Sequence, residues 1–277
     1  MKIYNTQKGI IIESSHSFYL VDENWDNFIN DDDLLQKIHQ RIAITPVIKN
    51  AQEIIDNYLL VPMQSQELWA SGVTYFNSKL GRQEEAKEAG GGTFYARVYE
   101  ADRPELFFKA TAHRTVPSGG QVHIRKDSTW NVPEPELTLV ITSNAKIVGY
   151  TIGNDMSSRS IEGENPLYLP QAKTYDACAA LGPCIYVTNQ TLPNDTSIKM
   201  KIKRIEEIIF EGNIQIQQMK RTPQELVEYL YRECSFPHGS LLMTGTGIVP
   251  TSEFTLKSAD EIQISIDQIG TLINYVK

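Results

Sequence analysis

Two prolines decide the local conformation of one segment of this chain. In Val132-Pro-Glu-Pro-Glu-Leu-Thr-Leu-Val-Ile141, the rings of Pro133 and Pro135 forbid a helix interior and push their predecessors toward extended backbone. Side chains two apart on an extended chain share a face, so Glu134 and Glu136 point the same way. The polar run Ser143 to Lys146 reads as a hairpin loop leading into a second apolar run that ends at Asp155. Pairing Thr142 with Ile147 puts Glu134 directly opposite Asp155, a register that a bulge would spoil.

Three acids on one patch repel across the strands and resist joint ionisation. A hard divalent cation such as Mg²⁺ removes that penalty by taking carboxylate oxygens while keeping waters for exchange with a substrate. An equally ordinary reading leaves Glu134 and Glu136 on an exposed edge strand protected by charge and proline. These residues alone leave both readings open.

Around this hairpin the chain divides by texture. Residues 1 to about 65 carry short strands at Ile10–Ile12 and Phe18–Leu20 and a helix from Asp31 to Ile44. The acids of that helix stand at the positive end of its dipole. A boundary near residue 66 follows. The charged run between Asn77 and Gly92 fits an exposed helix ending at three glycines, or a lid hinged at them. Beyond residue 100, short β-branched strands dominate. One helix interrupts them, opened by a capping box of Thr222 and Glu225 with Pro223 in its first turn. The expected class is α+β: a small N-terminal α/β domain, residues 1–65, and a mainly β domain, residues 66–277.

Composition narrows the functions. A net charge of −8 argues against a nucleic-acid partner, whose phosphates need a basic face. No apolar run approaches the roughly 20 residues that cross a membrane, and the N-terminal stretch lacks the continuous apolar core of a signal peptide. Cys178, Cys184 and Cys234 are odd in number and lack CxxC spacing, so neither a disulfide framework nor a thiolate zinc site is expected. The expected location is the cytoplasm.

The Glu-Pro-Glu-Leu strand, the run Gly153-Asn-Asp-Met-Ser-Ser-Arg159, Lys173 with Ala180-Leu-Gly-Pro183, the helix near Thr222, and Met243-Thr-Gly-Thr-Gly247 occur in an order that resembles the fumarylacetoacetate hydrolase superfamily over roughly residues 59 to 277. The resemblance implies a mixed β-sandwich roll as the catalytic domain, a 2-oxo acid as substrate, and Mg²⁺ (or Mn²⁺ or Ca²⁺) held by Glu134, Glu136 and Asp155. It implies Lys173 as the active-site lysine and Thr246 as a substrate contact. Arg159 either binds the substrate carboxylate or braces the hairpin. The family further implies a homodimer or homotetramer.

Departures from the family pattern refine this. Hydrolases of the family carry a water-activating histidine where this chain has Ser78, and none of its five histidines matches that motif. Arg103–Ala110 and Ile161–Lys173 instead resemble the branch that dehydrates 2-keto-3-deoxy pentonates, yielding 2-oxoglutarate semialdehyde from the arabinonate. Glu105 is then a second acid–base candidate, or an ion-pair partner of Arg103 or Lys109; Lys109 is a further substrate contact. Lys173 transfers protons, stabilises an enolate or forms an imine. A C–C hydrolase or oxaloacetate decarboxylase on the same centre, and a non-catalytic ligand-binding protein, are the alternatives.

Overall fold

The computed structural model describes residues 1–78 and 92–277. The segment expected as a helix or lid, residues 77–92, falls almost wholly outside them. Among the described residues there are two sheets. The larger is built from β1 (Lys2–Thr6), β2 (Gly9–Ser14), β3 (Ser17–Val21), β4 (Val47–Ile48), β5 (Glu67–Gly72), β6 (Glu105–Ala110), β7 (Thr115–Val116), β9 (Asn131–Ile141), β10 (Ile147–Ser158), β11 (Ala179–Val187) and β14 (Ser240–Met243). Its order is β4-β3-β2-β1-β11-β10-β9-β14-β5-β6, with β7 alongside β11. The smaller sheet runs β13 (Glu207–Gln215), β12 (Ser197–Arg204), β15 (Glu261–Ile266), β16 (Gly270–Val276) and β8 (Gln121–Val122). The α+β class and its predominance of strands are as expected.

Both faces of the β9–β10 hairpin are covered. Leu137, Leu139 and Ile152 pack with Ile198, Met200, Ile264 and Leu272 of the smaller sheet. Val140 and Val148 face the other way, with Leu241, Met243 and the apolar sides of the helices Trp25–Ile29 and Leu34–Ile44. Burying each such side chain contributes about 1.5–3 kcal/mol. Glu134 and Glu136 are therefore not on an exposed edge: every residue of β9 is buried, and the edge-strand reading fails.

The residues before 66 are continuous with the rest. β1 pairs with β11, and Ile3, Ile10 and Leu34 share a core with Val140, Cys178 and Leu241. The acids ahead of the helix Leu34–Ile44 also do more than complement its dipole. Asp32 accepts from Thr142 Oγ1 at 2.6 Å and Asn144 Nδ2 at 2.9 Å, fastening the tip of the β9–β10 hairpin. The capping box of Thr222 and Glu225 is formed, with Pro223 opening the helix Pro223–Tyr231.

Register in the hairpin arises differently from the simple pairing. Ile147 stands opposite Ile141 rather than Thr142, and an irregularity between Ile147 and Gly149 then shifts the ladder by one. From Gly149 onward the partners run so that Asp155 faces Glu134. A one-residue slip turns every side chain to the other face. Here the bulge creates the alignment it was expected to spoil.

Candidate metal centre and active site

Glu134 and Glu136 lie on one face of β9, and Asp155 joins them from β10. The three are 4, 1 and 1 % exposed. Each offers a carboxylate oxygen within 4.8 Å of the others. β14 ends at Met243 opposite Thr138, so the chain beyond it peels away and opens a cleft beside Glu136. The prolines fall in this stretch, where β9 has lost its neighbour on that side and a missing N–H costs no ladder bond. Gly245 turns the departing chain at φ +91° and donates its N–H to Glu136 Oε2 at 2.5 Å.

Three cations meet the three acids. After β10 the helix Arg159–Glu164 begins, and Arg159 Nη2 donates to Glu134 Oε1 at 2.6 Å. The chain returns through the helix Leu169–Lys173, whose last residue places Nζ 2.6 Å from Glu134 Oε2, 2.9 Å from Asp155 Oδ2 and 2.6 Å from Ser157 Oγ. From β6, Lys109 Nζ forms an ion pair with Asp155 Oδ1 at 2.6 Å. Thus cations of the chain itself meet Glu134 and Asp155, which the sequence argument did not foresee. Lys109, Lys173 and Arg159 offset their charge.

The compensation is uneven, and the proton affinities follow. Burial, then the charges of Asp155 and Glu134, push Glu136 well above the usual carboxylate range. Burial also works against ionising Asp155, but Lys109 and Lys173 outweigh it and hold that carboxyl below its ordinary value. Glu136 is the acid whose ionised form gains most from a cation.

The cleft is narrow, about 10 Å³, and is lined by Ser71, Gly72, Val73, Ser78, Phe107 and Thr246 together with Glu134, Glu136, Asp155, Arg159 and Lys173. Thr246 reaches it, its hydroxyl 3.3 Å from Ile248 O. Glu105 stands opposite Gly72 in the β5–β6 ladder, so close that a Cβ at 72 would meet Glu105 Oε2 at 2.0 Å. That oxygen is buried without a hydrogen-bond partner among the described residues. Neither Arg103 nor Lys109 forms an ion pair with Glu105 among the described residues. Lys109 does not reach the cleft wall; it stands behind Asp155, wholly buried. Sequence reasoning missed Ser71, Val73 and Ser157. Ser157 was within reach of the argument used for the glutamates, being two residues from Asp155 on the same face.

The donor set fits a hard divalent ion. Three carboxylates converge, and each oxygen has two lone pairs, so Glu134 and Asp155 can serve an ion while still accepting from Lys173. The arrangement can bind a chelating anion beside a fixed ammonium, with Ser78 and Thr246 hydroxyls across the cleft.

Comparison with known proteins identifies the family. The family described as fumarylacetoacetate (FAA) hydrolase C-terminal matches residues 74–277. A probable 2-keto-3-deoxyxylonate dehydratase of Haloferax volcanii is 47% identical over 224 residues, 80% of this chain and 76% of that one. The 2-dehydro-3-deoxy-D-arabinonate dehydratase of Saccharolobus solfataricus is 44% identical over 228 residues, 81% of this chain and 76% of that one. A solved 2-keto-3-deoxy-D-arabinonate dehydratase complexed with magnesium and 2,5-dioxopentanoate superposes with a TM-score of 0.86 at 35% identity, covering 100% of this chain and 99% of the other. With the matched segment reaching from the cleft-lining turn to the C-terminus, this chain belongs to the fumarylacetoacetate hydrolase family.

Proposed function

We propose that the protein is a divalent-ion-dependent hydro-lyase that dehydrates a 2-keto-3-deoxy pentonate, with 2-keto-3-deoxy-D-arabinonate as substrate and 2-oxoglutarate semialdehyde as product. The observation that carries this reading is the Lys173 ammonium, set between Glu134 and Asp155 at the wall of the cleft. Glu134, Glu136 and Asp155 would hold Mg²⁺, which when bound supplies Lewis-acid polarisation of a 2-oxo carboxylate. The two dehydratases of 44 and 47% identity support the substrate class.

The chain's own groups fit the proton movements. A C3 proton leaves to a base, the C4 hydroxyl leaves with a proton as water, and hydrogen shifts from C5 toward C3 turn the enone into the aldehyde. Lys173, on releasing its hydrogen bond to Ser157, is the proton donor and charge stabiliser at the C2 oxygen. Glu105, its Oε2 buried beside Gly72 and without a partner among the described residues, is the base for C3. Arg159, already holding Glu134, orients the substrate carboxylate, and Thr246 contacts the substrate chain.

No histidine lines the cleft among the described residues, and Ser78 is committed to Tyr75, donating to its carbonyl at 2.7 Å and accepting from its N–H at 3.2 Å. This favours elimination over water-driven C–C cleavage. The enzyme is read as cytoplasmic, in keeping with free thiols at Cys178, Cys184 and Cys234. It is read as a homodimer or homotetramer, in keeping with the exposed Leu167, Tyr168 and Ile205. A panel of 2-keto-3-deoxy acids with Mg²⁺, followed by aldehyde formation, tests the assignment beside acylpyruvate and oxaloacetate. Cleavage of those two without aldehyde release from any sugar acid would reject it.

A further inference from the structure

We propose that Lys109 sets which divalent ion the centre accepts, by holding one oxygen of Asp155 away from it. The proposal rests on the reading that Glu134, Glu136 and Asp155 bind an ion.

The ammonium of Lys109 is wholly buried, donates to Met156 O at 2.9 Å and to the carbonyl of Lys173, and forms an ion pair with Asp155 Oδ1 at 2.6 Å. Both hydrogen bonds go to backbone carbonyls, and the charge is met by Asp155. Lys109 is also absent from the cleft wall. It is a positioning residue, tying the third acid of the centre to the backbone of the lysine that faces substrate. Asp155 is thereby held with Oδ1 toward Lys109 and Oδ2 toward Lys173.

The other two acids are restrained in the same manner. Glu134 Oε1 is taken by Arg159 Nη2 at 2.6 Å, and Glu136 Oε2 by the Gly245 N–H at 2.5 Å. Glu134 Oε2 and Asp155 Oδ2 are shared with Lys173, which lines the cleft, so Lys109 is the one cation of the cluster that stands outside the cleft wall. Ca²⁺ takes more oxygens than Mg²⁺ and commonly uses both oxygens of a carboxylate, whereas Mg²⁺ is content with one from each. With Oδ1 turned to Lys109, Asp155 meets the cleft through Oδ2, which suits the smaller ion. For Asp155 to offer both, the buried ion pair with Lys109 must break.

Lys109→Met keeps the length and apolar stem of the side chain and removes its charge. Mg²⁺ and Ca²⁺ are titrated calorimetrically into the substrate-free wild-type and variant chains. The expected result is a Mg²⁺ Kd raised about tenfold or more, as when a partner behind a metal ligand is lost, with Ca²⁺ affinity unchanged or improved. The ratio of the Ca²⁺ to the Mg²⁺ Kd then falls by about tenfold or more. Equal weakening of both ions means that Lys109 only supports the fold, and overturns the proposal. No binding of either ion to the wild-type chain overturns the metal reading beneath it, and the proposal with it. If Lys109→Met does not fold, wild-type crystals grown with Ca²⁺ answer the question. Asp155 Oδ1 still on Lys109 supports the proposal, and both Asp155 oxygens on the ion overturn it.

Discussion

Asp155 stands directly across the β9–β10 ladder from Glu134, and the Lys173 ammonium bridges their carboxylates at 2.9 and 2.6 Å. This pairing ties strand register to chemistry, because a slip of one residue would send Asp155 into the apolar layer between the sheets. It also makes the lysine part of the same charge cluster as the acids. Changes to any of these residues are therefore read through the others.

Glu134→Gln removes one acid from the centre and turns one of the two oxygens that accept from Arg159 and Lys173 into an amide NH2. Mg²⁺-dependent turnover falls by about two orders of magnitude or more, because the polarising ion is no longer held. Circular dichroism stays that of the parent. Turnover at the parent rate would show that Glu134 has no part in the reaction.

Glu134, Asp155 and Ser157 take three hydrogen bonds of Lys173 Nζ, which leaves it no open side for attack on a carbonyl. An imine needs a neutral amine. Borohydride added during turnover should leave the intact mass of the protein unchanged, and Lys173→Met should lower kcat by about 10²–10⁴-fold. A reduced substrate adduct on Lys173 would replace the proton-donor role with a covalent one.

Much of the centre was legible in the sequence because it is local. Prolines at 133 and 135 fix an extended strand, and the two-residue spacing fixes the face shared by Glu134 and Glu136. The route to Asp155 was right in outcome and wrong in cause, since a bulge depends on how Ile147 and Val148 divide between the two cores. The inward ends of Lys109, Lys173 and Arg159 were not readable. They arrive from three separate elements, and charge compensation among residues 18, 25 or 39 apart has no sequence period. The continuity of residues 1–65 with the main sheet was hidden for the same reason. It depends on β1 finding β11, whereas the change of texture near residue 66 is local.

Metal binding should stabilise the protein more as pH rises. Glu136 has its folded-state proton affinity raised above the ordinary value of 4.5. Between those two values the folded, ion-free chain binds more protons than the unfolded chain, so its stability falls with rising pH, by at most about 1.4 kcal/mol per unit for one group. Asp155, shifted the other way, contributes stability that is lost only as pH falls through its lowered value. An ion takes the place of the Glu136 proton. The increase in Tm on adding Mg²⁺ should therefore be larger at about pH 8 than at about pH 5.5. A shift that shrinks with pH would mean that Glu136 is ionised throughout.

Gly245→Ala tests how the cleft is held open. Its φ of +91° suits glycine, and a Cβ would lie 2.0 Å from Thr74 Oγ1 and 3.0 Å from Ser71 O. The substitution should cost about 1–3 kcal/mol of stability and weaken Mg²⁺ binding, since the 245 N–H is the donor to Glu136. Unchanged Tm and unchanged affinity would mean that the turn relaxes freely.

The most direct measurement is anomalous scattering from crystals grown with Mn²⁺. The predicted result is one strong peak among the carboxylates of Glu134, Glu136 and Asp155, with Lys173 still in contact with Asp155. Absence of a peak there, with the Lys173 ammonium alone spanning Glu134 and Asp155, would contradict the account.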